Sequence, residues 1–266
     1  MFTPKKSLGQ NWLINPRILD EIISAAELNS NDIVVEIGPG TGNLTIKLVQ
    51  KAGTVIGIEK DRRLIDYLNE KFKNQANVKI IEADILEFDP CRLSLVAGRY
   101  KVIGNIPYYI TSNLLRTIFE SASWRMAQPQ LIVLTIQKEV AQRIMAKPPH
   151  TNLLALSVQY YTEPEIISYV SKNNFRPIPK VDSAIIKLAT RDKQQATKQE
   201  TEDLFRLIKA GFGGKRKQLA SNLAKQLKTR KEKIVEIFEK LNLNPIIRAE
   251  NLSLEQWEML NTYLLK

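Results

Sequence analysis

Short strand-like runs alternate with helix-like segments through the first half of the 266-residue chain. Apolar and β-branched runs bounded by turn residues indicate the strands, and amphipathic periodicity indicates the helices between them. This alternation predicts βαβ units around a parallel sheet with helices on both faces, which is an α/β fold. The predicted strands cover residues 33–38, 54–59, 78–84, 100–107 and 131–137, and the predicted helices cover residues 42–51, 61–72 and 112–120.

Two further strand-like runs, residues 166–171 and 183–190, are separated by a proline-containing connection that is too short for a crossover helix. We therefore expect them to pair antiparallel at the edge of the sheet. The polar stretch over residues 191–199 is typical of a linker. Helical periodicity follows in residues 204–211, 217–228, 231–241 and 254–265. The sequence thus predicts a large α/β domain over residues 1–190 and a small helical domain over residues 200–266.

The composition narrows the class of protein. A single cysteine and a single histidine exclude an intramolecular disulfide and a Cys/His zinc site, so no metal is expected. The N-terminus lacks an apolar signal core and the apolar runs are too short to span a bilayer, so we expect a cytoplasmic protein without a membrane partner. The net charge of +11 fits a nucleic-acid partner, although a merely basic soluble protein would share it.

A glycine-rich turn comes directly after the first predicted strand, in the run Glu36-Ile37-Gly38-Pro39-Gly40. Glycines at Gly38 and Gly40 let the backbone turn sharply and approach a ligand closely. The G-x-G-x-x-G spacing of dinucleotide-binding proteins is absent, which argues against a nicotinamide-dependent oxidoreductase. A tight structural turn is the alternative interpretation.

The second and third predicted strands end in carboxylates. Glu59 could accept hydrogen bonds from both hydroxyls of a ribose, and Asp84 could accept from the amino group of an adenine. Ile85 could pack against the adenine ring. Each carboxylate alone could simply cap a helix. Three successive strands that present ligand-type groups at one edge indicate a nucleoside site.

The fourth predicted strand ends in Asn105-Ile106-Pro107-Tyr108. An adenine amino nitrogen is a poor nucleophile because its lone pair is delocalised into the ring. The Asn105 side-chain oxygen and a backbone carbonyl near Ile106 could accept both amino hydrogens and favour the positive charge that nitrogen gains on attack. Pro107 would hold that carbonyl, and Tyr108 would stack on a flipped-out base. The alternative is a proline-containing loop with exposed tyrosines.

These motifs resemble those of the KsgA/RsmA and Erm group of ribosomal RNA adenine N6-methyltransferases. The resemblance extends over residues 7–13, 36–42, 59, 84–85, 105–108, 137–140 and 175–183. It implies a Rossmann-like seven-stranded methyltransferase sheet, S-adenosylmethionine as the cofactor, and catalysis by Asn105, Pro107 and Tyr108. Phe175 is expected as a second aromatic wall for the base, unless this phenylalanine before a proline simply plugs the sheet edge. The expected cofactor contacts are Asn11, Leu13, Gly38, Gly40, Glu59, Asp84, Ile85 and Asn105. A simple loop amide is the alternative for Asn11, but its place beside Leu13 in the motif favours a cofactor contact.

The C-terminal pattern in residues 212–219 and 248–253 is similar to that of the KsgA/RsmA branch. This implies a monomer that dimethylates two adjacent adenosines in the 3′-terminal hairpin of 16S ribosomal RNA during small-subunit biogenesis. An Erm-type large-subunit enzyme and a non-enzymatic nucleic-acid-binding relative are the alternatives. Lys215, Arg216 and Lys217 are the expected RNA contacts of the tail, unless they are ordinary solvated surface. The chain departs from the family pattern at Trp12, where phenylalanine is usual, and in residues 152–157, which lack a glycine.

Overall fold

The computed structural model describes residues 2–93, 95–191, 197–214 and 216–264. The chain forms two compact units. The sheet unit comprises Met1–Ala141 and Thr162–Thr190, and the helical unit comprises Gln142–Tyr161 and Arg191–Lys266. The predicted boundary near residue 190 differs from this division at one place, because residues 142–161 were expected in the α/β domain but belong to the helical unit. Most of the predicted linker, residues 192–196, lies outside the described residues.

The sheet unit contains a mixed sheet of seven strands and a separate two-stranded ladder. The strands are β1 (Trp12–Leu13), β2 (Ile33–Ile37), β3 (Thr54–Glu59), β4 (Val78–Glu82), β5 (Tyr100–Asn105), β6 (Leu131–Gln137), β7 (Thr162–Val170), β8 (Phe175–Arg176) and β9 (Ser183–Thr190). The large sheet has the order β4-β3-β2-β5-β6-β9-β7, and β1 pairs with β8. Strands β2 to β6 are parallel, whereas β9 runs antiparallel to both β6 and β7. The predicted fold class and the antiparallel pairing at the sheet edge are confirmed.

The order of the strands creates a switch point between β2 and β5. The chain moves outward from β2 to β3 and β4, and it then returns to the other side of β2 as β5. In this arrangement a ligand crevice forms outside the carboxyl ends of the central strands. Ile37 near the end of β2 is in register with Ile58 of β3 and Gly104 of β5, so the strand ends are level. Residues that follow these strands consequently meet at one edge.

The helices of the sheet unit are α1 (Pro16–Ala25), α2 (Asn43–Val49), α3 (Arg62–Lys71), α4 (Thr111–Glu120), α5 (Ala122–Met126) and α6 (Lys138–Ile144), of which α6 continues into the helical unit. Two of them, α1 and α3, begin at side-chain caps. Asn15 accepts a hydrogen bond from the Arg17 amide, and Pro16 occupies the first helical position of α1. Asp61 caps α3 by accepting from the Arg63 amide. Sequence periodicity located α2, α3 and α4 but not the other three.

The helical unit consists of α7 (Leu153–Tyr161), α8 (Lys198–Gly211), α9 (Leu219–Gln226), α10 (Lys231–Lys240) and α11 (Leu254–Leu264). Thr197 and Glu200 form a capping box that starts α8. The segment that departs from the family pattern is α7, and Asn152 caps this helix by accepting from the Ala155 amide. Thr151 donates to the carbonyl oxygen of Leu252, which ties α7 to the C-terminal residues. Among the described residues, every helix is too short or too polar to cross a bilayer.

Candidate active site

One pocket of the sheet unit opens at the carboxyl edge of the parallel strands. It is bounded by the N-terminal residues 8–12, the glycine turn after β2, the ends of β3 and β4, and residues 105–110 after β5. The strand order brings these segments together although they are far apart in sequence. Most of the predicted site residues line this pocket, namely Asn11, Gly38, Gly40, Glu59, Asp84, Ile85, Asn105, Pro107 and Tyr108.

The glycine turn forms one wall of the pocket. Gly38 and Gly40 have φ angles of 66° and 60°, in the left-handed region that favours glycine. A Cβ atom on Gly40 would lie 2.9 Å from Cδ1 of Trp12, so the indole can cover the turn only because residue 40 is glycine. The amide of Gly38 donates to the Ile58 carbonyl at 2.9 Å and ties the turn to β3. The backbone is therefore held where a ligand can approach it closely.

Glu59 ends β3 and bridges two backbone segments. Its Oε2 accepts a hydrogen bond from the Gly40 amide at 3.1 Å, and its Oε1 accepts from the Asp61 amide at 2.8 Å. Burial raises the pKa of Glu59, and these backbone hydrogen bonds act in the opposite direction. Each carboxylate oxygen has a second lone pair. Glu59 can thus accept from the hydroxyls of a ligand while it holds the glycine turn.

Asp84 follows β4 and presents an ionised carboxylate to the pocket. Its Oδ1 accepts from the Leu86 amide at 3.0 Å, and its Oδ2 accepts from Lys60 Nζ. Burial raises the pKa of Asp84, but the hydrogen bonds from Lys60 and the Leu86 amide outweigh it and leave the pKa below its ordinary value. Ile85 is 5% exposed and adds apolar surface beside this carboxylate. A polar acceptor next to an apolar face suits a heterocyclic base.

Asn105 ends β5 with its carboxamide in a defined orientation. Its Nδ2 donates to the main-chain oxygen of Asn11 at 2.7 Å, and no described residue donates to its Oδ1. The Ile106 amide donates to the Thr135 oxygen at 3.1 Å, which fixes the following backbone to β6. The Ile106 carbonyl receives no hydrogen bond from the described residues. Two unused acceptors, an amide oxygen and a backbone carbonyl, therefore follow β5.

Tyr108 is half-buried, and its hydroxyl forms a hydrogen bond with Ser183 Oγ at 2.7 Å. Ser183 is fully buried at the start of β9, so it holds the tyrosine ring in place. Burial raises the pKa of Tyr108, and the ring stays uncharged at neutral pH. Tyr109 also lines the pocket with 58% of its surface exposed. Sequence analysis missed Ser183, because only the fold brings it to Tyr108.

Phe175 does not lie where a ligand contact was expected. Phe175 is 0% exposed and packs in the core, and it is paired with Leu13 in the β1–β8 ladder. A phenylalanine without exposed surface cannot stack on a base, so the expected second aromatic wall is not present at this position. Leu13 belongs to the same core, and its carbonyl accepts from Asn43 Nδ2 at 3.1 Å, but it also lines a smaller pocket together with Gly38 and Asn105. Its expected cofactor contact stays a prediction.

The predicted basic contacts lie in the helical unit. Arg216 and Lys217 are exposed and precede α9, which begins at Leu219. Lys215 lies outside the described residues.

Glu36 is an ionisable group inside the sheet, in β2. It is 1% exposed, and its Oε2 atom has no hydrogen-bond partner among the described residues. Burial raises the pKa of Glu36 from 4.5 to about 8, and the nearby charge of Glu59 adds to the shift. The contribution of Glu36 to the free energy of unfolding is fully present below pH 4.5 and is lost as the pH rises towards 8. Glu36 therefore lowers the stability of the sheet unit as the pH rises from 4.5 to 8.

Comparisons with known proteins agree with this geometry. Residues 1–265 match the family model described as ribosomal RNA adenine dimethylase. The ribosomal RNA small subunit methyltransferase A of Dehalococcoides mccartyi is 41% identical over 256 residues, which are 96% of this chain and 87% of the relative. The protein of the same name from Rippkaea orientalis is 40% identical over 272 residues, or 98% and 97% of the two chains.

Two solved structures are similar over nearly their whole length. A dimethyladenosine transferase from Plasmodium falciparum superposes with a TM-score of 0.78 at 28% identity, covering 93% of this chain and 95% of the other. The 23S rRNA methyltransferase ErmE superposes with a TM-score of 0.77 at 25% identity, covering 96% and 100%. The resemblance that the sequence motifs indicated is confirmed, and the chain belongs to the ribosomal RNA adenine dimethylase family.

Proposed function

We propose that this protein transfers methyl groups from S-adenosylmethionine to N6 of two adjacent adenosines in the 3′-terminal hairpin of 16S ribosomal RNA during small-subunit biogenesis. The observation that carries this proposal is the pair of unused acceptors at Asn105 and Ile106, in the same pocket as Glu59 and Asp84. The names of the most similar relatives support the small subunit as the source of the RNA.

The pocket fits the chemistry of the cofactor. Glu59 would accept from the ribose hydroxyls, Asp84 from the adenine amino group, and Ile85 would pack on the adenine ring. The turn at Gly38 and Gly40 would let the rest of the molecule approach the backbone. The sulfonium supplies an already activated methyl group, so the protein needs mainly to position its acceptor.

Asn105 and Ile106 would act on the adenine amino group. Their two oxygens can accept both amino hydrogens, which favours a pyramidal nitrogen with an available lone pair and stabilises its developing positive charge. Pro107, at φ −56°, restricts the backbone that carries the Ile106 carbonyl. Tyr108 would stack on the base after it leaves the RNA helix. Loss of the extra proton to water completes the step, because a methylated ammonium on adenine is acidic.

The helical unit would contribute recognition of the ribosomal particle. Arg216 and Lys217 are exposed cations in a region where 16 Lys and Arg exceed 10 Asp and Glu after residue 190, a net of +6. Such a surface suits phosphate contacts. A large-subunit target is less well supported, since ErmE is 25% identical whereas the small-subunit relatives are 37% to 41% identical.

The test uses small subunits from cells that lack this protein. We expect the purified protein to dimethylate two adjacent adenosines in the 3′-terminal hairpin, mapped by mass spectrometry of RNA fragments. Asn105→Ala should slow single-turnover methyl transfer roughly a hundredfold, because comparable transition-state hydrogen bonds contribute about 3 kcal/mol.

Asn77→Ala is the matched control. Asn77 also donates its Nδ2 to main-chain oxygens, those of Val49 and Ala52, but it lies outside the pocket. This variant should lose stability and retain the transfer rate of the folded protein. Methylation of large-subunit RNA alone would refute the proposed substrate, and a normal rate for Asn105→Ala would refute the proposed catalytic role.

A further inference from the structure

The Asn105 carboxamide can present either its oxygen or its NH2 group to a substrate, and only the oxygen can accept an amino hydrogen. The main-chain oxygen of Asn11 selects between these orientations. It can only accept a hydrogen bond, and Asn105 Nδ2 lies 2.7 Å from it. Turning the amide over would place two oxygens against each other. The position of the Asn11 carbonyl therefore decides which atom of Asn105 faces the amino group.

The Asn11 carbonyl belongs to a short N-terminal segment that is held by Gln10. Within the segment, Asn11 Nδ2 donates to the Gly9 oxygen at 3.1 Å. Gln10 uses both ends of its amide. Its Oε1 accepts from the Lys5 amide at 2.7 Å, and its Nε2 donates to Asp61 Oδ2 at 2.9 Å. Gln10 thus joins this segment to the end of β3.

Asp61 is a rigid and charged anchor for Gln10. Its side chain is fully buried, and it caps α3. The Arg63 guanidinium, with Nη2 at 2.6 Å from Oδ2, holds the pKa of Asp61 well below its usual range. The Asp61 amide donates to Glu59 Oε1 at 2.8 Å, so the anchor is attached to a predicted cofactor ligand. Hydrogen bonds from Arg63 and Gln10 hold the carboxylate, and its lowered pKa keeps it ionised near neutral pH.

We infer that Gln10 is a positioning residue for methyl transfer. It fixes the Asn11 carbonyl relative to Asp61, and that carbonyl keeps Asn105 Oδ1 turned towards the substrate amino group. The effect passes from the end of β3 to the end of β5 through side-chain hydrogen bonds. The inference rests on the proposed function, because it requires that Asn105 Oδ1 acts on the amino group.

Gln10→Ala should lower the single-turnover rate at saturating cofactor and RNA roughly three- to tenfold, the change that corresponds to one net hydrogen bond. The dissociation constants of S-adenosylmethionine and RNA should change less than about twofold. Gln159→Ala is a matched control, because Gln159 Nε2 also donates to main-chain oxygens, those of Ile144 and Ala146 in the helical unit. It should lower the melting temperature and leave the rate unchanged. A loss of cofactor affinity as the main effect of Gln10→Ala would overturn the inference, since Gln10 also lines the pocket.

A double-mutant cycle with Asn105→Ala tests whether Gln10 acts on methyl transfer through the Asn105 amide. If Gln10 acts through the Asn105 amide, Gln10→Ala should cause no further loss of rate once that amide is gone. The same loss in both backgrounds would overturn the inference, because it would assign Gln10 an independent role. A normal rate for Asn105→Ala alone would instead refute the proposed function, so the two failures are distinguishable.

Discussion

We predict that the ring and the hydroxyl of Tyr108 contribute separately to methyl transfer, because they have different contacts. The hydroxyl forms a hydrogen bond with Ser183 Oγ at 2.7 Å, and Ser183 is fully buried. The ring lines the pocket. Tyr108→Phe removes only the hydrogen bond, whereas Tyr108→Ala also removes the stacking surface.

The two variants differ in expected magnitude. One hydrogen bond contributes about 0.5–1.5 kcal/mol, and the stranded hydroxyl of buried Ser183 favours the upper end of that range. Tyr108→Phe should therefore slow methyl transfer roughly three- to tenfold. Stacking of a base on an aromatic ring adds about 1–3 kcal/mol. Tyr108→Ala should then slow transfer roughly ten- to a thousandfold.

Two measurements separate the steps. Single-turnover methylation of small subunits gives the rates, and the fluorescence of 2-aminopurine placed at the target position reports whether the base leaves the RNA helix. Tyr169→Phe and Tyr169→Ala are matched controls, since Tyr169 is a tyrosine of the same unit that is 53% exposed and lies outside the pocket. Equal rates for Tyr108→Phe and Tyr108→Ala, or an unchanged fluorescence signal in Tyr108→Ala, would refute the stacking role.

Three further predictions address the cofactor, the RNA and the pH. Glu59→Ala and Asp84→Ala should each weaken S-adenosylmethionine binding by about 0.5–1.5 kcal/mol and leave RNA affinity unchanged. If calorimetry finds normal cofactor affinity in both variants, the nucleoside does not bind at these two carboxylates. Charge reversal of Arg216 and Lys217 should weaken binding to small-subunit particles. It should also lower the salt dependence of the binding constant by about one unit of slope per lost phosphate contact. If the binding constant and its salt dependence are unchanged, these two residues do not contact the RNA. Glu36→Gln should remove the contribution of Glu36 to the fall in the free energy of unfolding between pH 4.5 and 8, which is up to about 1.4 kcal/mol per pH unit. Denaturant titrations at several pH values check this, and parallel curves for the two proteins would show that Glu36 does not titrate in that range.

The composition of the pocket was predictable because parallel strands place their carboxyl ends at one edge. Gly38, Glu59, Asp84 and Asn105 each follow or end a strand of the parallel part of the sheet. Strand boundaries alone were therefore enough to predict that they meet. No side-chain partner had to be known, since the register of β2 with its neighbours imposes the alignment.

Features that depend on packing were not predictable from local pattern. α7 buries residues on most of its surface, including Ala155, Leu156, Val158 and Tyr160, so it has little of the amphipathic periodicity that reveals a helix. The burial of Phe175 depends on its pairing with β1, more than 160 residues earlier in the chain. The family resemblance implied an aromatic contact with a base, and the burial of Phe175 supports the alternative that it plugs the sheet edge.

The acceptors of the pocket share one property, which explains why the site is defined before any ligand binds. Glu59 uses part of its capacity on the Gly40 and Asp61 amides, and Asn105 uses its NH2 group on Asn11. The remaining lone pairs then point in fixed directions, so binding does not have to restrict these side chains. Because these side chains already hold backbone groups, even an isosteric substitution would break a hydrogen bond. An amide in place of the Glu59 carboxylate would direct its NH2 group at one of two backbone N–H donors whichever way it turned, and it would release either the glycine turn at Gly40 or the backbone at Asp61.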